Sequence, residues 1–173
     1  MKGVIVYSSK TGNTKRMAEF IYSQMKLKNI DIDIYDINDL VDIERYDFAL
    51  IGGYVDRAYP DKKAKKLIES TKQNNLGIFV TMGAMPDSEH GEKVSENLEK
   101  LLKNRNSLGF YKCPGLVDQK LIEGLKGLKA IIVPRKVKDK MIEASINSRY
   151  ATDDELMQSF NYFYKRIRDL IAD

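Results

Sequence analysis

The chain has 173 residues, 43% of them hydrophobic and 31% charged, which is the size and make-up of one globular domain with a real core, residues 1–173. Its net charge is +4, from 29 Lys and Arg against 25 Asp and Glu. One cysteine, Cys113, and one histidine, His90, exclude a disulfide framework and a Cys/His metal site and point to a reducing, cytoplasmic compartment. Apolar runs such as 48–51 fall far short of the roughly 20 residues a membrane helix needs. The N-terminus lacks a basic region followed by an apolar stretch, so no signal peptide is read.

The charge is uneven. Between positions 31 and 47, Asp31, Asp33, Asp36, Asp39, Asp42, Glu44 and Asp47 face Arg45 alone. Between 112 and 140 the bases Lys112, Lys120, Lys126, Lys129, Arg135, Lys136, Lys138 and Lys140 outnumber Asp118, Glu123 and Asp139. An acidic side and a basic side follow. Solvated faces explain most such runs, and no nucleic-acid motif accompanies this one.

In chain order, Val4-Ile5-Val6 reads as a strand, and Met17, Phe20, Ile21 and Met25 mark one face of a helix. Ile30, Ile32 and Ile34 alternate with polar residues, as in a strand with one wet side. Phe48 to Ile51 is a continuous strand, and Ala64, Leu67, Ile68 and Thr71 line a Lys-rich helix. A strand over 78–82 follows, then a helix carrying Val94, Leu98, Leu101 and Leu102. Leu108 and Phe110 mark a weaker strand. Residues 112–150 form an insertion before the last helix, helical over 119–128 with a short apolar run at 130–133. The closing helix carries Leu156, Phe160, Phe163, Ile167 and Leu170, and Thr152 with Glu155 forms a capping box at its start.

Alternating strands and helices predict an α/β fold with helices on both faces of a parallel sheet. The strands near 4, 49 and 79 are apolar on both faces and belong in the middle. Those near 32 and 109 are half apolar and belong at the edges. With right-handed crossovers this gives a three-layer, doubly wound, five-stranded parallel sheet of order 2-1-3-4-5.

Ligands of such sheets bind beyond the carboxyl ends of the strands, where the strand order reverses. Here Ser8-Ser9-Lys10-Thr11-Gly12-Asn13-Thr14 leads from the first strand straight into a helix. Hydroxyls, an amide and a close-approach glycine at a helix N-terminus make a phosphate cradle built mainly from dipoles. Rival phosphate sites fail on the letters. There is no G-x-x-x-x-G-K-[ST], no G-x-G-x-x-G after strand one, no cysteine in this loop and no acid pair of a receiver domain.

The same segment resembles the phosphate-binding signature [TS]-x-T-G-x-T of the flavodoxin family, met here by Ser9, Thr11, Gly12 and Thr14. The resemblance covers residues 1 to about 113 plus the closing helix. It implies FMN as cofactor and two further flavin loops. One follows strand three and contains Gly52, Gly53, Tyr54, Val55, Asp56, Arg57 and Tyr59. Its glycines suit a loop that changes conformation near the ring, and Tyr54 or Tyr59 stacks on it. The other follows strand four, with Met82, Gly83, Ala84 and Met85 offering backbone contacts. Cys113 reads as a buried structural thiol, and His90 as a helix-start residue. The family's His-Pro pair before the last helix is replaced by Arg149-Tyr150-Ala151-Thr152, so no role tied to that pair carries over.

The resemblance implies an electron-transfer protein shuttling electrons to or from a partner redox enzyme. The alternative is an FMN-dependent NAD(P)H or quinone reductase, whose substrate pocket the insertion would shape. A phosphate-binding module without flavin ranks last. Typical flavodoxins are acidic, whereas here Arg57, Lys62, Lys63, Lys65 and Lys66 follow the second loop, which points to a partner with an acidic docking surface.

Overall fold

The computed structural model describes residues 1–118, 120, 123–124 and 134–172. The helix expected over 119–128 and the run at 130–133 lie outside, or largely outside, the described residues. The described strands are β1 (Lys2–Tyr7), β2 (Asp31–Asp36), β3 (Phe48–Asp56), β4 (Tyr59–Pro60), β5 (Leu76–Met82) and β6 (Ser107–Pro114). The described helices longer than one turn are α1 (Asn13–Leu27), α2 (Lys62–Ser70), α3 (Glu89–Leu102), α4 (Arg135–Asn147) and α5 (Asp153–Ala172). The sheet runs β2-β1-β3-β5-β6, with every pairing along this path parallel, and this is the predicted doubly wound order. The two-residue β4 was not foreseen; it pairs antiparallel with the end of β3.

Two cores follow from strand alternation. On one face Ile5, Phe48, Leu50 and Phe79 pack against Met17, Ile21 and Met25 of α1 and Phe160, Phe163 and Ile167 of α5. On the other face Val4, Val6, Ile51, Ile78 and Val80 pack against Ile68 of α2 and Val94 and Leu98 of α3. β1, β3 and β5 are buried almost throughout, while β2 and β6 are half-buried, as expected of edges. The helix starts are set by side chains. Asp61 caps α2, Ser88 caps α3, and Thr152 and Glu155 bond each other's backbone N–H at the start of α5.

Space, not turn geometry, explains the glycines of β3. Gly52 lies opposite Phe79 across β3 and β5, and the Phe79 ring fills the place a Cβ would take. A Cβ on Gly53 would lie 2.9 Å from both the Ala64 methyl and Asp61 Oδ2. The expectation that 52–53 belong to a mobile loop is therefore corrected: both sit inside a paired strand. β6 holds a second correction. Leu108 and Phe110, two apart, should share a face, yet Leu108 packs in the α1/α5 core and Phe110 against the α2/α3 core. A register shift between Leu76 and Gly77, with Gly109 at φ 78°, inserts one residue and turns the strand over.

Gly52→Ala drives a methyl into the fully buried Phe79 ring. We expect it to lower the unfolding free energy by about 1–3 kcal/mol. Urea melts of the protein without added ligand measure this, and Phe79→Leu in the same chain should recover part of the loss.

Candidate functional site

The loops after β1, β3, β5 and β6 meet at one end of the sheet and enclose a cleft of about 290 Å³. The first loop divides its polar groups between structure and solvent. Ser8 is buried, and its Oγ donates to Asp61 Oδ1 at 2.9 Å, so this hydroxyl is committed to the fold. Thr14 is likewise buried, its Oγ1 2.9 Å from Thr81 Oγ1. Ser9 Oγ accepts from the Gly12 N–H, and exposed Thr11 accepts from Asn13 Nδ2 at 2.8 Å. Gly12 sits at φ 88° and opens α1, a left-handed conformation that glycine adopts without strain. No side chain caps α1, and its first turn holds no acid. Its N–H groups and positive end are thus available, with Lys10 on the cleft wall beside them.

The second wall is a hairpin. β3 continues through Asp56, turns at Arg57 and Ala58 (φ 50° and 66°), and returns as β4. Positive φ at both central residues is the geometry of a type I′ turn. Asn97 of α3 donates from Nδ2 to the Ala58 carbonyl at 2.9 Å and pins the tip. Tyr54, Val55 and Asp56 face the cleft. Burial, together with the charges of Asp61 and Asp56, raises the Tyr54 pKa and keeps the phenol protonated. Tyr59 does not line the cleft; its ring lies under the Lys65 ammonium, 4.3 Å from the centroid.

The third wall brings Met82 and Gly83 to the cleft, while Ala84 packs against the α2/α3 core. Met85 turns to a neighbouring hollow with Tyr111, Lys112 and Pro114. Lys112 Nζ donates to the carbonyls of Pro86 and Gly91, both at 2.8 Å, and ties this loop to β6. Burial lowers the Lys112 pKa. His90 stands in the first turn of α3.

Two features lie outside the site residues singled out in the sequence, although the insertion as a whole was expected to shape a pocket. The segment 115–118 follows β6 and lines the cleft opposite the hairpin. Its signal was the Pro114-Gly115 break at the same end of the sheet as the other loops. The other is Asp61, whose Oδ1 accepts from Ser8 Oγ and from the Lys63 and Ala64 N–H groups. Its Oδ2 is buried and has no hydrogen-bond partner among the described residues. An acid at the start of a Lys-rich helix is a capping signal, but its long-range bond to Ser8 has no local trace.

The donor set around Gly12 suits a phosphate ester. Half-buried Tyr54 across from Gly83 and Val117 suits a flat apolar group. The Flavodoxin domain model matches residues 4–160. The chain belongs to the flavodoxin family. A flavodoxin-like domain-containing protein BilS from Clostridioides difficile is 37% identical over 131 residues, 73% of this chain and 70% of that protein. Among solved structures, a flavodoxin from the domain Archaea has a TM-score of 0.60 at 16% identity, with 98% of each chain covered. A flavoprotein from Lactobacillus acidophilus NCFM, solved in complex with FMN, has a TM-score of 0.51 at 20% identity. The match covers 73% of this chain and 99% of that one. The flavodoxin fold found here is the one expected from strand patterning.

Cys113 takes no part in the cleft. It is fully buried, with Sγ 3.9 Å from the Glu155 carbonyl oxygen. Burial, reinforced by the Glu155 charge, pushes the thiol pKa up to about 12. The thiol therefore stays protonated through neutral pH. Iodoacetamide at pH 8 should leave native Cys113 unmodified, as read by mass spectrometry, and label it fully once urea unfolds the chain.

Proposed function

We propose that this flavodoxin-family chain is an electron carrier that exchanges electrons with a partner redox protein through bound FMN. The observation that carries this reading is an α1 N-terminus without side-chain cap or acid, facing a cleft walled by Tyr54 and Gly83. FMN is the cofactor, and when bound it supplies reversible uptake and release of electrons. Thr11 and Ser9 offer hydroxyls, and the amides of Asn13 and Thr14 offer backbone donors, to the phosphate. Lys10 adds one cation at the mouth, so the cradle is less purely dipolar than its letters implied. Tyr54 covers the ring from the hairpin side, a reading supported by its lining the cleft where Tyr59 does not. The backbone of Met82 and Gly83 bounds the opposite side and fixes orientation. Ser8 and Thr14 support these loops from beneath through Asp61 and Thr81.

Thr11→Ala removes a hydroxyl that is exposed and holds no part of the core. We expect FMN affinity to fall about tenfold, the loss of one charge-assisted hydrogen bond, and riboflavin affinity to change little. Fluorescence-quenching titrations with both flavins read this. Equal loss for both flavins would remove the phosphate assignment.

The partner carries an acidic docking surface. Lys62, Lys63 and Lys66 are exposed on α2, beside exposed Arg57 at the hairpin tip. A lone cysteine with no second thiol in the sequence supports the reading of a reducing, cytoplasmic compartment. Among the described residues no helix is long and apolar enough to cross a membrane. A second reading, a reductase acting directly on NAD(P)H or a quinone, is favoured by the segment 115–118, which covers one side of the cleft. The FMN-loaded protein decides between them. A carrier accepts electrons in an anaerobic reductive titration, shows no steady NADPH oxidation with a quinone, and slows strongly with salt when paired with its partner. Steady turnover without any partner would establish the reductase instead.

A further inference from the structure

The segment 115–118 is held at four points. Gly115 donates its N–H to the Met82 carbonyl at 2.8 Å, which extends the β5–β6 pairing into the third loop. Leu116 is bound through both backbone groups by one side chain. Its carbonyl accepts from Asn13 Nδ2 at 2.9 Å, and its N–H donates to Asn13 Oδ1 at 3.2 Å. The Val117 N–H donates to Ser148 Oγ at 3.1 Å. The Val117 side chain lies directly on Gly83, where a Cβ would collide with it. The third loop is thereby covered at Gly83, and Leu116 and Val117 line the same cleft as Tyr54.

Asn13 is shared between this segment and the first loop. Its amide nitrogen has two hydrogens, one given to Leu116 and the other to Thr11 Oγ1 at 2.8 Å. Because Thr11 accepts that bond, its own O–H is directed to another acceptor. We propose that 115–118 is a fourth wall of the flavin site, and that Asn13 ties this wall to occupancy of the phosphate loop. The inference rests on the FMN reading above. A phosphate that accepts from Thr11 polarises its oxygen and strengthens the bond from Asn13. The amide plane of Asn13 is then fixed, and both bonds to Leu116 are fixed with it. By linkage, the wall that phosphate tightens also tightens phosphate binding. Asn13 acts here as a positioning residue through Leu116, and the wall distinguishes FMN from riboflavin although it touches no phosphate.

Hydrogen–deuterium exchange of the full chain, alone and saturated with FMN or riboflavin, tests this. We expect the Leu116 and Val117 amides to exchange more slowly with FMN than with riboflavin. Asn13→Ala should abolish that difference, speed exchange at 116–117, and reduce the ratio of FMN to riboflavin affinity about tenfold. Ser148→Ala frees the Val117 amide from the other side. It should speed exchange at 117 yet preserve the difference between flavins at 116, so the coupling can be read without touching the first loop. Equal protection by both flavins in the unaltered protein would overturn the inference. So would an Asn13→Ala variant that loses FMN affinity while 116–117 exchange as before, since Asn13 would then be a phosphate ligand only. A chain that binds neither flavin would overturn the FMN reading and this inference with it.

Discussion

The buried carboxylate of Asp61 is the joint on which the site depends. It lies at the start of α2, and one of its oxygens gathers the Ser8 hydroxyl and two N–H groups of the first helical turn. Removing a carboxylate from water costs several kcal/mol unless donors replace the lost hydration. Three donors on Oδ1, together with the positive end of α2, replace part of that hydration, while buried Oδ2 has no partner among the described residues. The arrangement fixes the exit of β1, the return strand of the hairpin and the start of α2 relative to one another. Gly53 completes the constraint, because any larger residue there would run into Asp61 and Ala64. The flavin loops are therefore built on a common buried support and do not hang independently from the sheet.

From that support, cross-links radiate through the first loop. Ser8 joins it to the hairpin, Thr14 to β5 through Thr81, and Asn13 to the segment after β6. Arg16, one turn into α1, holds the approach to α5 by bonding the Ala151 carbonyl and Asp153. Hydroxyls and amides dominate at the buried positions because they can pair without the desolvation cost of a full charge. The polar residues that remain exposed, Lys10, Thr11 and the face of Ser9, are the ones left to meet an anion. A dense run of Ser, Thr and Asn at a strand-to-helix junction thus serves two purposes at once, locking the loops and lining the cradle.

The fold was legible because its signals are local or periodic. Continuous apolar runs marked β1, β3 and β5, half-wet runs marked β2 and β6, and helical spacing marked α1, α2, α3 and α5. The loop that opens α1 stood out as a candidate phosphate cradle because its hydroxyls, amide and glycine are packed into seven consecutive letters. What escaped was non-local. The bulge that puts Leu108 and Phe110 on opposite faces depends on Gly109 and on its pairing with β5. The glycines of β3 looked like loop residues because the groups that need their missing side chains, Phe79 against Gly52 and Asp61 with Ala64 against Gly53, lie on other elements. Nothing in the letters reveals that the Ser8 and Thr14 hydroxyls bond Asp61 and Thr81. Nor do the letters reveal that Tyr54 lines the cleft while the Tyr59 ring lies beneath Lys65.

The hairpin tip shows how this wall is held. Arg57 and Ala58 both occupy the left-handed region, which costs non-glycine residues about 1 kcal/mol each. Glycine would relieve that strain but would also leave the unfolded chain more freedom, so its net gain would be small. The conformation persists because both sides of the turn are fixed. Asn97, itself buried, bonds the Ala58 carbonyl, and Asp61 anchors the return strand. Ala58 is buried in the α2/α3 core while Arg57 remains exposed, so the turn directs its apolar residue inward and its cation outward. Local strain of this kind is sustained only where surrounding contacts over-determine the backbone, and here those contacts come from Asn97 of α3 and from Asp61 at the start of α2.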